Sequence, residues 1–597
     1  MNTEQPRPLS WLGMALARHA DDWARRAGAP EEAAQLLGRC LEALGQAMAE
    51  GHVCLLPDAH ISEHTLGALS EKLRASHLVA SEVQSAQGER LPFVLDAQGR
   101  FYLYRYYDAE VRLARQLAAL CTPPDRAPGE GAPEQSGEGA AAKDRRADGA
   151  DFQQAAAIPE DDQARALQAA RTRRLLVISG GPGTGKTTTV ARLLAALLDE
   201  NPRLRVALAA PTGKAAQRMM EALRARGLPP ELSERLPASS FTLHRLLGWQ
   251  PGEGRFRHGP QRPLPYDLII VDEASMIDLS LATHLVEALA PDARLFLLGD
   301  RDQLAAVEKG VVFAELARDD EAAPLRSSVV LLRRNYRFAA DSGIGRLAAC
   351  INRGAHIDAL ALLRAAPRDL AWRNVADARL PQAELEALAA GFAPYLASVR
   401  NARAGTDAAA RAHAALAEYR VLTALRIGPR GAEGLNEEID RWLRQQLTVP
   451  AEGGYAGQAI VVLENDYPLG LFNGDTGIAL PDDQGRLQFV FSLADGTWRM
   501  VAPARLPPHA PAWALTVHKA QGSEFARVAL VLPAADTPVL TRELLYTGIT
   551  RAREHVTLYG SATRLSEAIA RRSQRAGGLA DRLSACLSAT AAPCRRG

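Results

Sequence analysis

The feature that most constrains this chain is Gly180-Gly181-Pro182-Gly183-Thr184-Gly185-Lys186-Thr187, which matches the pattern G-x-x-x-x-G-K-[ST]. An apolar run, Leu175-Leu176-Val177-Ile178, precedes it. A helical stripe of Val190, Leu193, Leu194, Leu197 and Leu198 follows it. Glycines at 180, 181, 183 and 185 let the backbone wrap a phosphate and turn its N–H groups inward. The helix N-terminus adds a partial positive charge. Lys186 is expected to reach the β- and γ-phosphates of ATP, and Thr187 to offer its hydroxyl to Mg²⁺. The expected nucleotide-binding residues are Gly180, Gly181, Pro182, Gly183, Thr184, Gly185, Lys186, Thr187 and Thr188.

Two further apolar runs end in polar residues that suit the same chemistry. Leu268-Ile269-Ile270-Val271 leads into Asp272-Glu273-Ala274-Ser275. Asp272 is expected to hold the hydrated Mg²⁺, and Glu273 to orient and deprotonate the attacking water. Taken without the glycine-rich loop, such a pair would read as a helix cap. Leu295-Phe296-Leu297-Leu298 leads into Gly299-Asp300-Arg301-Asp302-Gln303. Gln303 is expected to sense the γ-phosphate; a turn residue bonding its own backbone is the alternative.

Around these motifs, apolar runs alternate with helical patterns. Strands are expected also at Val206–Ala209, Val329–Leu332, Val421–Thr423, Val528–Leu532 and Val556–Tyr559. This alternation predicts α/β architecture, with parallel sheets covered by helices on both faces. The 597 residues exceed one ordinary core. We expect residues 1–122 to form a small, mainly helical N-terminal domain and 123–150, rich in Pro, Gly, Ala and charge, to form a flexible linker. Residues 151–330 and 331–597 would hold one α/β domain each. Short alternating strands and turn dipeptides over about 445–510 predict a small β insertion, and turn residues in 249–265 predict a short hairpin. The aromatic run Phe101–Tyr107 is expected on a strand, its rings packing a core; a stacking platform for bases is the lesser alternative.

Composition narrows the class. A net charge of +1 removes any whole-chain basic excess, so a nucleic-acid contact must be a local strip. The cysteines, at 40, 54, 121, 350, 586 and 594, lack metal-ligand spacing and read as reduced thiols. No basic-then-apolar leader and no run of about 20 apolar residues is present, so cytoplasm is the expected location.

The ordered blocks resemble superfamily 1 helicases, two tandem RecA-like P-loop NTPase domains. They are Gln163; the glycine-rich loop; Ala210–Ala216; Thr242–Leu247; Asp272–Ser275; Gly299–Gln303; Arg334–Phe338; Leu515–Phe525; and Tyr546–Ala552. The resemblance implies that Gln163 reads the adenine edge and that Arg337 and Arg551 reach the transferring phosphoryl group from the second domain. It places single-stranded DNA against Pro211, Thr212, Gly213, Lys214, Thr242, His244, Thr516, His518 and Lys519, hydroxyls and cations suited to backbone phosphates. It gives the 249–265 hairpin the place of a strand-splitting pin.

Thr423-Ala424-Leu425-Arg426, Gly434-Leu435-Asn436 and Leu469–Ile478 are similar to the RecD family, the alpha subunits of exodeoxyribonuclease V. That likeness implies 5′→3′ movement, RecB-like and RecC-like partners, a head docking on the RecC-like subunit, an SH3-like insertion and a role in resecting double-strand breaks. No carboxylate–lysine nuclease cluster is evident outside the ATP site. A stand-alone helicase of the same lineage and an ATP-gated DNA scaffold are the alternatives.

Overall fold

The computed structural model describes residues 8–56, 66–88, 90–121, 162–225, 235–237, 240–305, 310–320, 323–339, 341–400, 402–404, 407–466, 468–493, 497–573 and 575–591. The expected linker at 123–150 lies outside them. The fold is α/β, and all eight expected strands form.

A first sheet has the spatial order Val329–Leu331, Leu175–Ser179, Arg294–Gly299, Leu268–Val271, Val206–Ala210, Phe241–Thr242, with every neighbouring pair parallel. Successive side chains along a strand face opposite ways, so each buried run serves two cores. Leu176, Ile178, Leu208, Ile270, Phe296 and Leu298 meet the stripe of helix Lys186–Glu200. Leu175, Val177, Ile269, Val271, Leu295 and Leu297 face the other way. Because every strand runs in the same direction, all the C-terminal ends open onto one edge, where the polar motifs begin.

A second parallel sheet runs Leu370–Arg373, Ala552–Tyr559, Phe525–Val531, Tyr419–Thr423, Ala514–Thr516. Between helix Ala432–Leu447 and strand Ala514–Thr516 stands a five-stranded antiparallel sheet, Trp498–Val501, Leu487–Ser492, Thr476–Pro481, Ala459–Val462, His509–Pro511. It has its own small core of Ile460, Val462, Leu471, Ala479, Phe489 and Phe491. The Phe491 ring lies across Gly477, where a Cβ would come within 2.4 Å of it. The antiparallel strands begin later than the turn chemistry suggested, because the preceding helix continues to Leu447.

The N-terminal residues hold more strand than expected: Cys54–Leu55, Phe101–Leu103, Phe93–Leu95 and Val79–Ser81 form a four-stranded sheet beside helices Pro8–Arg26 and Glu31–Ala49. Strands of two or three residues are too short to show periodicity. The aromatic run divides: Phe101–Leu103 is strand, whereas Tyr104 opens helix Tyr104–Cys121. Phe101, Tyr102 and Tyr107 are buried and pack the core.

Helix Tyr104–Cys121 also completes the core of the first parallel sheet. Leu113 and Leu117 lie in one apolar cluster with Leu285, Leu295, Leu297 and Phe313. Arg112 donates to Glu287 at 2.7 Å, and Thr283 Oγ1 donates to the Ala109 carbonyl at 3.3 Å. The C-terminal helix Leu579–Ala591 packs on the same element through a buried ionic network. Arg582 donates to Glu82 (2.7 Å), Asp96 (3.2 Å) and Glu110 (3.2 Å), with its guanidinium 4.4 Å above the Tyr107 ring. Burial pushes the Glu110 carboxyl upward, and the Gly578 amide and Arg582 oppose it. Removing one partner of such a group strands the others without solvent. Arg582→Met should therefore destabilise the chain by about 3 kcal/mol, seen as a lower urea midpoint; an unmoved midpoint would mean that the apolar face alone holds this helix.

Candidate active site

The glycine-rich loop closes over the end of strand Leu175–Ser179. Gly183 and Gly185 have φ of 81° and 85°, the left-handed region that glycine adopts without strain. Lys186 Nζ donates to the Gly180 and Gly181 carbonyls at 2.6 and 3.2 Å, so its ammonium lies inside the loop. Gly185 caps helix Lys186–Glu200 without a side-chain bond, so no side chain competes for that helix N-terminus there. Thr187 and Thr188 form the first turn. Gln163, on helix Asp162–Thr172, is nearly buried; its Oε1 accepts from Arg192 at 3.1 Å, and its Nε2 lies against Gly185.

Asp272 and Glu273 stand where strand Leu268–Val271 ends. Burial and the neighbouring Glu273 carboxylate raise the Asp272 carboxyl to about 6, while Lys186 opposes the shift. An anionic pair facing an ammonium across the strand ends has the hard-oxygen chemistry that Mg²⁺ takes. Glu273 sits at φ 51°, ψ 38°, and its side chain makes no capping bond to the short helix that follows, so capping does not account for it. A non-glycine residue in this region is strained, and strain of this kind concentrates at functional sites.

Gln303 is buried, and its Nε2 donates to Asp300 Oδ2 at 3.1 Å. The same oxygen accepts from Tyr546 Oη at 3.0 Å. Leu304 N donates to Thr547 Oγ1 at 2.8 Å, and Gln521 Nε2 donates to the Leu304 carbonyl at 2.7 Å. The end of the third strand is therefore tied to the second sheet by three hydrogen bonds.

The two arginines converge on this seam. Asn335 Nδ2 donates to the Pro182 carbonyl at 2.8 Å and Tyr336 N to the Gly183 carbonyl at 2.7 Å, which brings Arg337 against Gly183. Arg337 Nη2 donates to Glu524 Oε1 at 2.7 Å, while its buried Nη1 has no hydrogen-bond partner. Arg551, nearly buried, donates from Nε to the Thr547 carbonyl at 3.1 Å and from Nη1 to the Ser523 carbonyl at 3.3 Å. Burial acts to raise the Glu524 carboxyl, but Arg337, Arg218 and Arg551 outweigh it and hold it below the usual range.

A second group of expected residues lies on the same C-terminal edges. The register Ala210↔Thr242 aligns Pro211–Lys214 with Thr242–His244, and Thr423↔Thr516 sets Thr516–Lys519 on the second sheet. Thr212, Thr242 and Thr516 share one local role: each hydroxyl accepts a backbone N–H three residues on, from Ala215 (3.3 Å), Arg245 (3.2 Å) and Lys519 (3.3 Å). Each O–H hydrogen is still able to donate outward. Lys214, His244 and Lys519 are exposed. Burial and the Arg575 charge lower His518 to about 4, so it is a neutral ring near pH 7. Of the span 249–265 where a hairpin was expected, residues 249–256 form it, Trp249–Gln250 against Arg255–Phe256, with the Trp249 and Phe256 rings 4.9 Å apart and the His244 ring 5.8 Å from Phe256.

The sequence reading assigned no role to Asn335, Gln521, Glu524, Thr547 or Arg218. Gln521 and Glu524 lie inside the block Leu515–Phe525 and were accessible as motif members. Arg218 carried no signal, since a charged residue on an amphipathic helix normally reads as a solvated face.

The family described as "AAA domain" matches residues 163–309, and that described as "UvrD-like helicase C-terminal domain" matches 511–559. The chain is similar to RecBCD enzyme subunit RecD of Mycobacterium tuberculosis, with 42% identity over 71% of this chain and 73% of the relative. The corresponding Haemophilus influenzae subunit is 36% identical over 68% and 69%. The ATP-dependent RecD2 DNA helicase of Deinococcus radiodurans is 33% identical over 94% of this chain and 71% of its own. A solved Pif1 helicase from Bacteroides is a distant likeness, with TM-score 0.37 and 16% identity over 68% of this chain and 92% of that one. Sequence blocks, parallel sheets and relatives agree, and the chain belongs to the RecD family of ATP-dependent superfamily 1 DNA helicases.

Proposed function

We propose that this chain is the 5′→3′ motor of a RecBCD-type assembly, drawing single-stranded DNA across its sheet edges as it hydrolyses ATP. The assembly would contain RecB-like and RecC-like partners and resect double-strand breaks in the cytoplasm. The observation that carries the reading is Arg337. Its backbone neighbours bond the glycine-rich loop from outside, and its Nη1 is buried without a partner beside that loop. A guanidinium so placed is an open donor for charge on a transferring phosphoryl group.

In this reading Lys186 and the backbone N–H groups of Gly183–Thr187 hold the triphosphate. Thr187 and Asp272 would hold Mg²⁺, which would supply positive charge to the triphosphate. Glu273 takes the proton of the attacking water, Gln303 senses the γ-phosphate, and Arg337 and Arg551 stabilise the developing charge. Arg337 and Arg551 are held by residues of the second sheet, so closing the seam completes the site. Thr212, Thr242 and Thr516, with Lys214, His518 and Lys519, contact DNA phosphates without reading sequence. The hairpin at 249–256 splits the duplex, the antiparallel sheet acts as the SH3-like element, and the N-terminal residues dock the RecC-like subunit.

One observation favours a stand-alone helicase: the RecD2 relative aligns over 94% of this chain. Expression of the chain alone and together with RecB- and RecC-like proteins separates the readings. Co-purification with both, and weak unwinding of a 5′-tailed duplex without them, supports the subunit; robust unwinding by the isolated chain supports the stand-alone enzyme. Glu273→Gln should bind ATP normally and lose turnover by about 10²-fold or more, measured in a steady-state phosphate-release assay. Normal hydrolysis would remove Glu273 as the base. Gly183→Ala would place a Cβ 2.2 Å from Arg337 Cβ at a φ of 81°. We expect it to weaken ATP binding about tenfold or more, measured by titration with a fluorescent nucleotide.

A further inference from the structure

Helix Gly213–Arg224 starts immediately behind Pro211 and Thr212, one of the segments assigned to DNA. Arg218, one turn along it, reaches across the seam. Its Nη1 donates to the Gly522 carbonyl at 2.9 Å and its Nη2 to the Glu524 carbonyl at 3.3 Å. The receiving residues follow directly on Thr516–Lys519, the DNA segment of the second sheet. Gly522 has φ +67°, and a Cβ there would lie 3.4 Å from Ala215 Cβ and 3.7 Å from Thr212 Oγ1. The backbone of the second sheet's loop therefore nests on the first turn of the helix that carries Arg218.

Three guanidiniums grip three consecutive residues here. Arg218 holds the Gly522 and Glu524 carbonyls, Arg551 the Ser523 carbonyl, and Arg337 the Glu524 carboxylate. Of the three, Arg218 alone is on a helix of the first sheet. We infer that Arg218 is a positioning residue that relays DNA engagement at Pro211–Lys214, through the 522–524 backbone, to the Glu524–Arg337 pair at the nucleotide.

The inference rests on the helicase reading above and adds a route between its two sites. A planar guanidinium presents donors in a fixed fork. Both bonds hold only while helix 213–224 and segment 522–524 keep one relative position, since hydrogen bonds weaken steeply as they lengthen and bend. When a strand on Lys214 and Lys519 draws the two segments together, the fork sets where Glu524 presents its carboxylate. Arg337 is aimed accordingly. Arg218 touches no phosphate in this scheme, so its loss changes how the seam closes and not how nucleotide is held.

The test uses the full chain with an oligo-dT strand as DNA probe. ATP hydrolysis is followed with and without the strand, and strand affinity with and without a non-hydrolysable ATP analogue. Stimulation of the wild-type chain by the strand tests the helicase reading itself; its absence sinks that reading and this inference together. Given stimulation, Arg218→Ala should cut the DNA-stimulated kcat about tenfold, leave KM for ATP within about twofold, and abolish the analogue's effect on strand affinity, since coupling between sites is reciprocal. Arg218→Lys, which keeps a donor but not the fork, should fall between. Wild-type stimulation and wild-type analogue response in Arg218→Ala would overturn the inference. If Arg218→Ala lacks the wild-type melting transition, Arg218→Lys decides: reduced coupling supports the relay, and full coupling overturns it.

Discussion

The seam depends on four residues of backbone, Gln521 to Glu524, which both halves of the molecule hold. Gln521 reaches the Leu304 carbonyl, Arg218 takes the carbonyls of Gly522 and Glu524, Arg551 takes that of Ser523, and Arg337 takes the Glu524 carboxylate. Several of these bonds have a charged partner and little water around them, the setting in which a hydrogen bond is strongest and its loss most costly. Carbonyls gripped at successive residues leave the segment little freedom to slide. Whatever separates the two sheets must break the bonds that Gln521 and Arg218 make across the seam.

The parallel sheets make such a seam possible. In each of them the strands run one way, so their polar continuations collect on one edge. Lys186, Asp272 and Gln303 come from three strands of the first sheet; Arg551 follows helix Arg542–Ile549 on the second. The antiparallel unit interrupts neither sheet, because it enters after helix Ala432–Leu447 and returns at strand Ala514–Thr516, leaving Thr423 paired with Thr516.

The two ends of the chain constrain the same frame from behind. Helix Tyr104–Cys121 shares a core with the first sheet, and the C-terminal helix, arriving from the second, is fixed to it by Arg582. A buried ion network of this kind adds little net stability over an apolar contact of equal volume, but it tolerates few alternative arrangements. The two sheets are thus tied at the front by the hydrogen bonds to Gln521–Glu524, and behind by Arg582 on the C-terminal helix.

Much of this was legible in the residues. Apolar runs of three to five residues marked all eight expected strands, and the spacing of Gly180–Thr187 marked the phosphate loop, because local backbone chemistry needs those residue types in that order. Strands of two or three residues in the N-terminal sheet were not legible, since so few positions carry no period. The helix onset at Tyr104 was masked by aromatic residues that suit a strand. Sequence alone determined the eight principal strands and the residue types and spacing of the phosphate-loop motif. Tertiary structure alone decided that Arg218, Gln521, Glu524 and Tyr546 stand at one seam and that Arg582 ties the two ends together. Those contacts join residues hundreds of positions apart, and a charged side chain on a helix looks the same in sequence whether it faces water or another lobe.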